Sequence, residues 1–289
     1  MITVTTAVLT STRTDDAIAE LAVRALRAEA NLTPKPGLVD RRGSGAHTDM
    51  NVGVMEASAE ALRSAFTECT SAARYLPLGA ELRTAIGAIG RAGEAGMLAA
   101  TGGVNTHRGA LWALGLLSAG AAITADVAAV IDFAARLASL ADPAAAGTVP
   151  LSHGSTARRR YGVRGAAGEA QQGFPHVRLH ALPALRAARR SGCDEASARL
   201  AALLALMAHL DDTCLLHRGG MDGLRAVQSG ARAVLAAGGC HTLEGRRRFA
   251  DLDHLCLDRR LSAGGSGDLL SVTLFLDALT QPETSTCKP

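Results

Sequence analysis

Residues 200–216 read LAALLALMAHLDDTCLL, apolar on every side except at the short HLDD break. A helix without a polar face is buried, and at least one of Asp211 and Asp212 is then drawn toward the interior. Leu111 to Ala121 is nearly all apolar too and implies a second buried helix. Elsewhere apolar residues recur at helical spacing, giving expected helices near 15–30, 52–75, 78–100, 126–141, 166–172, 178–191, 194–210, 221–237, 242–258 and 267–279. Alternating β-branched residues occur only at Met1 to Val8, too isolated to form a sheet. The chain is 48% apolar but only 3% aromatic, so its core is built of Ala, Leu and Val. Straight-chain and small residues favour helix. The expected fold is all-α: a single multi-helix globular domain over 1–289, with residues 1–14 frayed and 281–289 a tail. No fixed-period repeat supports a solenoid.

Five glycine-bearing polar stretches interrupt the helices: LTPKPGLVDRRGSGAHTDMN (32–51), TGGVNTHRGA (101–110), YGVRGAAGEAQQGFP (161–175), DDTCLLHRGG (211–220) and LSAGGSGDLL (261–270). In the first, prolines flank Lys35 and remove backbone donors, so no helix crosses it. Its charges are sparse and mixed in sign, and Leu38, Val39 and Met50 can pin it down. Long loops in compact domains are functional or disordered, and this composition is that of an ordered active-site loop. Glu29, on the apolar side of the helix before it, is either an edge residue or a carboxylate aimed at the loop. SAGGSGDLL reads as a helix start with free N–H groups, suited to a phosphate, or as a turn capped by Ser266. His47 and His107 lie beside Asp49 and Asn105 in glycine-rich loops. The arginines at 246–248 read as a solvated helix face; those at 158–160 do so less clearly, because YGVRG follows.

The formal charge of +3 does not argue for nucleic acid, and few aromatics means no base-stacking platform. A small polyanion suits it better. The six cysteines form no CxxC pair and read as reduced thiols of a cytoplasmic protein. No run of about 18 apolar residues offers a membrane span. A GxxxxGK[ST] phosphate loop and HExxH are both absent.

Taken together, the five stretches resemble the triphosphoribosyl-dephospho-CoA synthase family, in the family's order and over residues 29 to 270. LTPKPGLVDRRGSGAHTDM is the most specific piece. The resemblance implies an all-helical transferase that joins ATP to 3′-dephospho-CoA through the 2′-hydroxyl and expels adenine. The product would pass to a phosphoribosyl-dephospho-CoA transferase acting on an acyl carrier protein. LSHG and the DDTCLLHRGG form look more like the malonate decarboxylase branch than the citrate lyase branch. A homodimer is compatible with the resemblance. The sequence departs from the family's pattern at Arg108 (usually Lys), Ala167 (usually Arg), Cys214 (usually Asn) and Ala263 (usually Pro).

Carried onto this chain, the resemblance implies a catalytic set of Asp40, His47, Asp49, Asn105, His107, Glu169 and Asp212. It implies substrate and phosphate contacts from Lys35, Arg108, Arg164, Arg218, Gly264, Gly265, Ser266 and Asp268. Mg²⁺ would be held by Glu29, Asp49 and Asp212. The chemistry is consistent with these residue types. Displacing adenine from an anomeric carbon needs a base, stabilisation of an oxocarbenium-like centre and a held triphosphate, and Mg²⁺ with Lys and Arg holds phosphates well. Two other readings of the same residues are a Mg²⁺-dependent N-ribosyl hydrolase and a non-enzymatic helical binding module.

Overall fold

Thr14 opens the first helix: its hydroxyl accepts the Ala17 amide, one of the donors that a helix start leaves unpaired. The computed structural model describes residues 11–146 and 153–281. The first half comprises α1 (Asp15–Asn31), α2 (Val52–Ala61), α3 (Arg63–Tyr75), α4 (Ala80–Ala100), α5 (Arg108–Ile123) and α6 (Val127–Ser139). A 3₁₀ turn (Pro143–Ala146), α7 (His153–Tyr161) and α8 (Gly165–Gln171) follow. A π-helical turn (Val177–Ala181) runs into α9 (Leu182–Arg190), then come α10 (Glu195–His209), α11 (Thr213–Ala236), α12 (Leu243–Asp258) and α13 (Gly264–Leu279). The described residues contain no strand, only a bridge between Asp40 and Gly43. The all-α expectation is met.

Side-chain caps set many of the boundaries. Asn51, Asp126, Asp194 and Thr242 each accept amides at the start of the helix that follows. The expected helix over 52–75 is two, divided at the buried Leu62, and neither Gly nor Pro marks that break. The segment after Arg218, expected to become helical only at 221, is helical from Thr213, with a kink at Gly220, where φ is 61°. Residues 11–14 are not frayed: the Ser11 amide donates to the Ile123 carbonyl, Arg13 donates to the Gln281 carbonyl, and Arg74 donates to the Arg13 carbonyl. The expectations for residues 1–10 and 282–289 lie outside the described residues.

The two helices expected to be buried are. α5 packs against α1, α3, α4, α6 and α13, and α10 against α9, α11 and α13. α13 is buried along most of its length and touches α1 and α5 on one side, α10 and α11 on the other, so it joins the two halves of the chain. Among the described residues, no single helix is long and apolar enough to cross a membrane; α10 and α11 pass only as a pair bent by 58°. The described cysteines are free thiols.

Close packing with few aromatics relies on glycine where helices cross. A Cβ on Gly120 of α5 would lie 2.8 Å from the Val130 carbonyl oxygen of α6. A Cβ on Gly90 of α4 would have no neighbour within 4 Å. Gly120→Ala should therefore destabilise the fold by about 1–3 kcal/mol through overpacking. Gly90→Ala should stabilise it by about 0.5–1 kcal/mol through helix propensity. Urea unfolding of the two variants, read against wild type, checks the opposite signs.

Candidate active site

A cavity of about 690 Å³ opens where the 32–51 loop, the loop before α5, the α10–α11 junction and the start of α13 meet α8. All five interruptions contribute to its walls.

The 32–51 loop is ordered by its own charges. Asp40 accepts the backbone amides of Lys35 and Arg42, both at 2.8 Å, and pairs with the Arg42 guanidinium. Arg42 reaches on to Asp253 of α12 at 2.6 Å, and Asp253 also accepts the Gly37 amide. Gly37 has φ 63°, and a Cβ there would lie 2.3 Å from the Leu261 carbonyl oxygen, so only glycine lets the loop press onto the turn before α13. Asp40 was expected to meet metal or ribose. It is instead a strut within the loop and is not among the cavity-lining residues.

Lys35 lines the cavity but is only 1% exposed. Its ammonium donates to the Glu29 carboxylate and to the Glu29 carbonyl, each at 2.7 Å. The expected phosphate ligand is thus already committed to a buried ion pair, and of the two readings of Glu29 the structure shows the carboxylate aimed at the loop. Asp212 is also saturated. It accepts the Cys214 and Leu215 amides at the start of α11, and the Gly265 amide, Ser266 amide and Ser266 hydroxyl at the start of α13. The open N–H groups expected at the glycine-rich start of α13 are therefore held by a protein carboxylate. Gly264 and Gly265 face the cavity, but their helix end is already capped.

Asp268, one turn into α13, lies against Gly109 at the start of α5 and accepts the Ala110 amide. Burial, then the nearby charges of Glu29 and Asp212, holds its carboxyl well above the usual range. Glu169 accepts the backbone amide and ring Nδ1–H of His176, at 2.9 and 2.7 Å, and this carboxylate raises the His176 pKa.

Of the histidines that line the cavity, His47 and His107 are neutral donors. Arg218 can only donate, and its contact with His47 Nδ1 at 3.0 Å leaves the proton on Nε2, which faces the Ser262 hydroxyl at 2.9 Å. Burial and the Arg218 charge lower the His47 pKa. His107 is 2% exposed, and burial pushes its pKa down to about 4. Thr106 donates to Ser58 at 2.6 Å, and the Ser58 hydroxyl, whose hydrogen meets no other acceptor among the described residues, lies 2.7 Å from His107 Nδ1. The ring proton is then on Nε2, which has no partner among the described residues.

The remaining expected residues sit apart. Asp49 is 58% exposed at the rim, 3.8 Å from His47. Asn105 is exposed on the wall, and Arg108 lines it while paired to Glu94. Arg218 also holds the Ala46 and Arg260 carbonyls. Arg164 belongs to a neighbouring cleft. The metal set Glu29, Asp49 and Asp212 does not assemble: Asp49 is on the rim, Asp212 is saturated, and among the described residues no group of three His, Cys, Asp or Glu could hold a metal ion. Sequence reasoning missed Ser58, Thr106 and Trp112. Trp112 lines the cavity with a buried Nε1 that has no partner among the described residues. No local signal marks Ser58, which sits in mid-helix 49 positions before the ring that it orients.

Breaking a buried pair leaves one charge uncompensated. Lys35→Met should cost about 3–5 kcal/mol of stability, and Lys35→Met with Glu29→Gln should recover most of that loss. Chemical denaturation of the single and double variants measures both.

With this geometry in view, relatives identify the chain. The profile of the family described as ATP:dephospho-CoA triphosphoribosyl transferase matches residues 15–287. A relative from Stutzerimonas stutzeri (strain A1501), named "Probable 2-(5''-triphosphoribosyl)-3'-dephosphocoenzyme-A synthase", is 56% identical over 266 residues and 91% of both chains. A relative of the same name from Azotobacter vinelandii (strain DJ / ATCC BAA-1303) is 58% identical over 268 residues and 90% of both chains. One from Pseudomonas aeruginosa (strain UCBPP-PA14) is 54% identical over 268 residues and 91% of both chains. No solved structure matches. The chain belongs to the ATP:dephospho-CoA triphosphoribosyl transferase family.

Proposed function

We propose that the cavity positions ATP and 3′-dephospho-CoA so that the 2′-oxygen of the second attacks C1′ of the first. A C–O bond forms and the C1′–N9 bond breaks. Adenine leaves with the bonding electrons, and the proton that it gains matches the one lost by the hydroxyl. The triphosphate is untouched. Family membership supplies the reaction class. The observation that carries the site assignment is the carboxylate floor, where Glu29, Asp212 and Asp268 gather with Lys35.

Negative charge on that floor favours the positive charge that develops on the ribose as adenine departs. It also repels the triphosphate, so a cation must accompany ATP. Mg²⁺ is usually bound through one or two carboxylates together with substrate phosphates. Glu29, which keeps an oxygen not used by Lys35, and Asp268, whose charge is crowded by its neighbours, fit that mode. The ion would neutralise the triphosphate and orient it. Arg218, whose partners are carbonyls and a ring nitrogen, stands in the wall with charge to offer phosphate, and Arg108 would have to share its charge with Glu94. His47 and His107, both neutral, add none.

The product serves as prosthetic-group precursor for an acyl carrier protein, passed on by a phosphoribosyl-dephospho-CoA transferase. LSHG at 151–154 and DDTCLLHRGG favour malonate decarboxylase as the destination.

Mass spectrometry after incubation with ATP, Mg²⁺ and dephospho-CoA should show adenine and the coupled product. ADP with a phosphorylated acceptor would overturn the reaction assignment, and adenine release without acceptor would favour hydrolysis. Asp268→Asn should lower turnover by roughly 10²–10³-fold while leaving Tm unchanged or higher, because it removes a carboxylate repelled by two others. A variant with wild-type turnover would remove Asp268 from the site.

A further inference from the structure

Beside the main cavity lies a second, more open cleft of about 580 Å³. Arg158 and Arg159 of α7 and Arg164 at the start of α8 line it, along with the side-chain amides of Gln171 and Gln172. No carboxylate lines it. Among the described residues none of the three guanidinium groups has a carboxylate partner, whereas Arg27, Arg42, Arg63, Arg74, Arg83 and Arg91 do. Three like charges held together without counter-charge repel one another and disfavour the folded arrangement. An anion bound among them removes that repulsion.

The cleft adjoins the main cavity: Ser155 and Arg158 line both. The stem of Arg158 passes close to the start of α8: a Cβ on Gly165 would lie 3.3 Å from it. The two spaces have opposite character. One has a carboxylate floor, which suits a polyanion that arrives with a divalent cation. The other is lined by guanidinium groups, which hold phosphate oxygens directly and in pairs, with no metal needed.

We propose that Arg158, Arg159 and Arg164 form the subsite for the diphosphate bridge of the acceptor nucleotide, 3′-dephospho-CoA. This rests on the two-substrate reading above and extends it. The acceptor's ribose must enter the main cavity to bring its 2′-oxygen to C1′ of ATP. Its diphosphate, attached at the ribose 5′-position, then lies outside the carboxylate floor, and the adjoining cleft is where such a group meets cationic donors. Arg158, shared by both spaces, marks the crossing point.

The test is calorimetric titration of wild type, Arg158→Gln and the Arg159→Gln/Arg164→Gln double variant with dephospho-CoA and, separately, with ATP and Mg²⁺. All three side chains are exposed, so circular dichroism should match wild type, and Tm should be equal or higher because like charges are removed. Charge-assisted contacts of this kind predict dephospho-CoA binding about 10- to 100-fold weaker in the variants, with ATP within about twofold. The salt dependence of dephospho-CoA binding should flatten as the contacts are lost. The KM for dephospho-CoA in adenine release should rise by a similar factor, and Arg159→Lys/Arg164→Lys should restore part of the affinity. Unchanged dephospho-CoA affinity in variants of an enzyme that still releases adenine would overturn the subsite alone. A larger loss for ATP would overturn it too, by giving the cleft to the triphosphate. Wild type that binds no dephospho-CoA would overturn both this inference and the functional reading beneath it.

Discussion

The Asp212 carboxylate holds two helix starts at once. It accepts amides at the beginnings of α11 and α13, where each helix has unpaired donors and a partial positive charge. α13 touches helices of both halves of the chain, so one buried carboxylate ties the start of α11 to a helix that spans them. The fixed point is also a wall of the cavity. Burial alone raises the Asp212 pKa, and the surrounding N–H and O–H donors oppose that shift. Fold and site therefore share an electrostatic origin: a charge placed inside by the break in an apolar helical run, and kept there by backbone donors.

Asp212 also decides how the cavity treats anions. A helix start is ordinarily a place for phosphate, but the starts of α11 and α13 are closed by Asp212, and that of α5 faces Asp268. Lys35 is bound to Glu29. The groups that would attract a triphosphate in a simpler site are matched internally, and the floor sets three carboxyl groups, two of them with raised pKa, against one ammonium. Such a floor favours positive charge on a sugar carbon and disfavours a bare polyphosphate. In the proposed reaction, that would separate stabilisation of the ribose from retention of the phosphates, the second falling to groups beyond the floor.

The fold was largely legible in the sequence because its signals are local. Apolar periodicity placed most of the helices, the helix expected near 15–30 begins at Asp15, and the all-round apolar runs identified α5 and α10 as buried. The division at Leu62 and the early start of α11 were not legible, because no breaker residue marks the first and glycines pointed away from the second. The site was legible as a set of loops but not as a set of roles. Lys35, Asp40 and Asp212 have the residue types of ligands, yet each is satisfied by partners inside the protein. Which partner a charge finds depends on three-dimensional neighbours. For Asp40 and Asp253 these lie more than 200 positions apart, joined through Arg42.

Three histidines show how those neighbours set charge. His176 faces a carboxylate, so its pKa is raised. His47 faces a guanidinium and is partly buried, so its pKa is lowered. His107 is fully enclosed, with a hydroxyl rather than a carboxylate on Nδ1, and falls to about 4. Ring nitrogens that differ only in surroundings thus divide into one ring, outside the carboxylate floor, whose charged form is favoured and two beside it whose neutral form is favoured. A charged imidazole at position 47 or 107 would add positive charge beside the carboxyl groups of the floor. Burial keeps His107 neutral, and the Thr106–Ser58–His107 chain of contacts then decides which nitrogen carries the proton, presenting the ring as an Nε2–H donor.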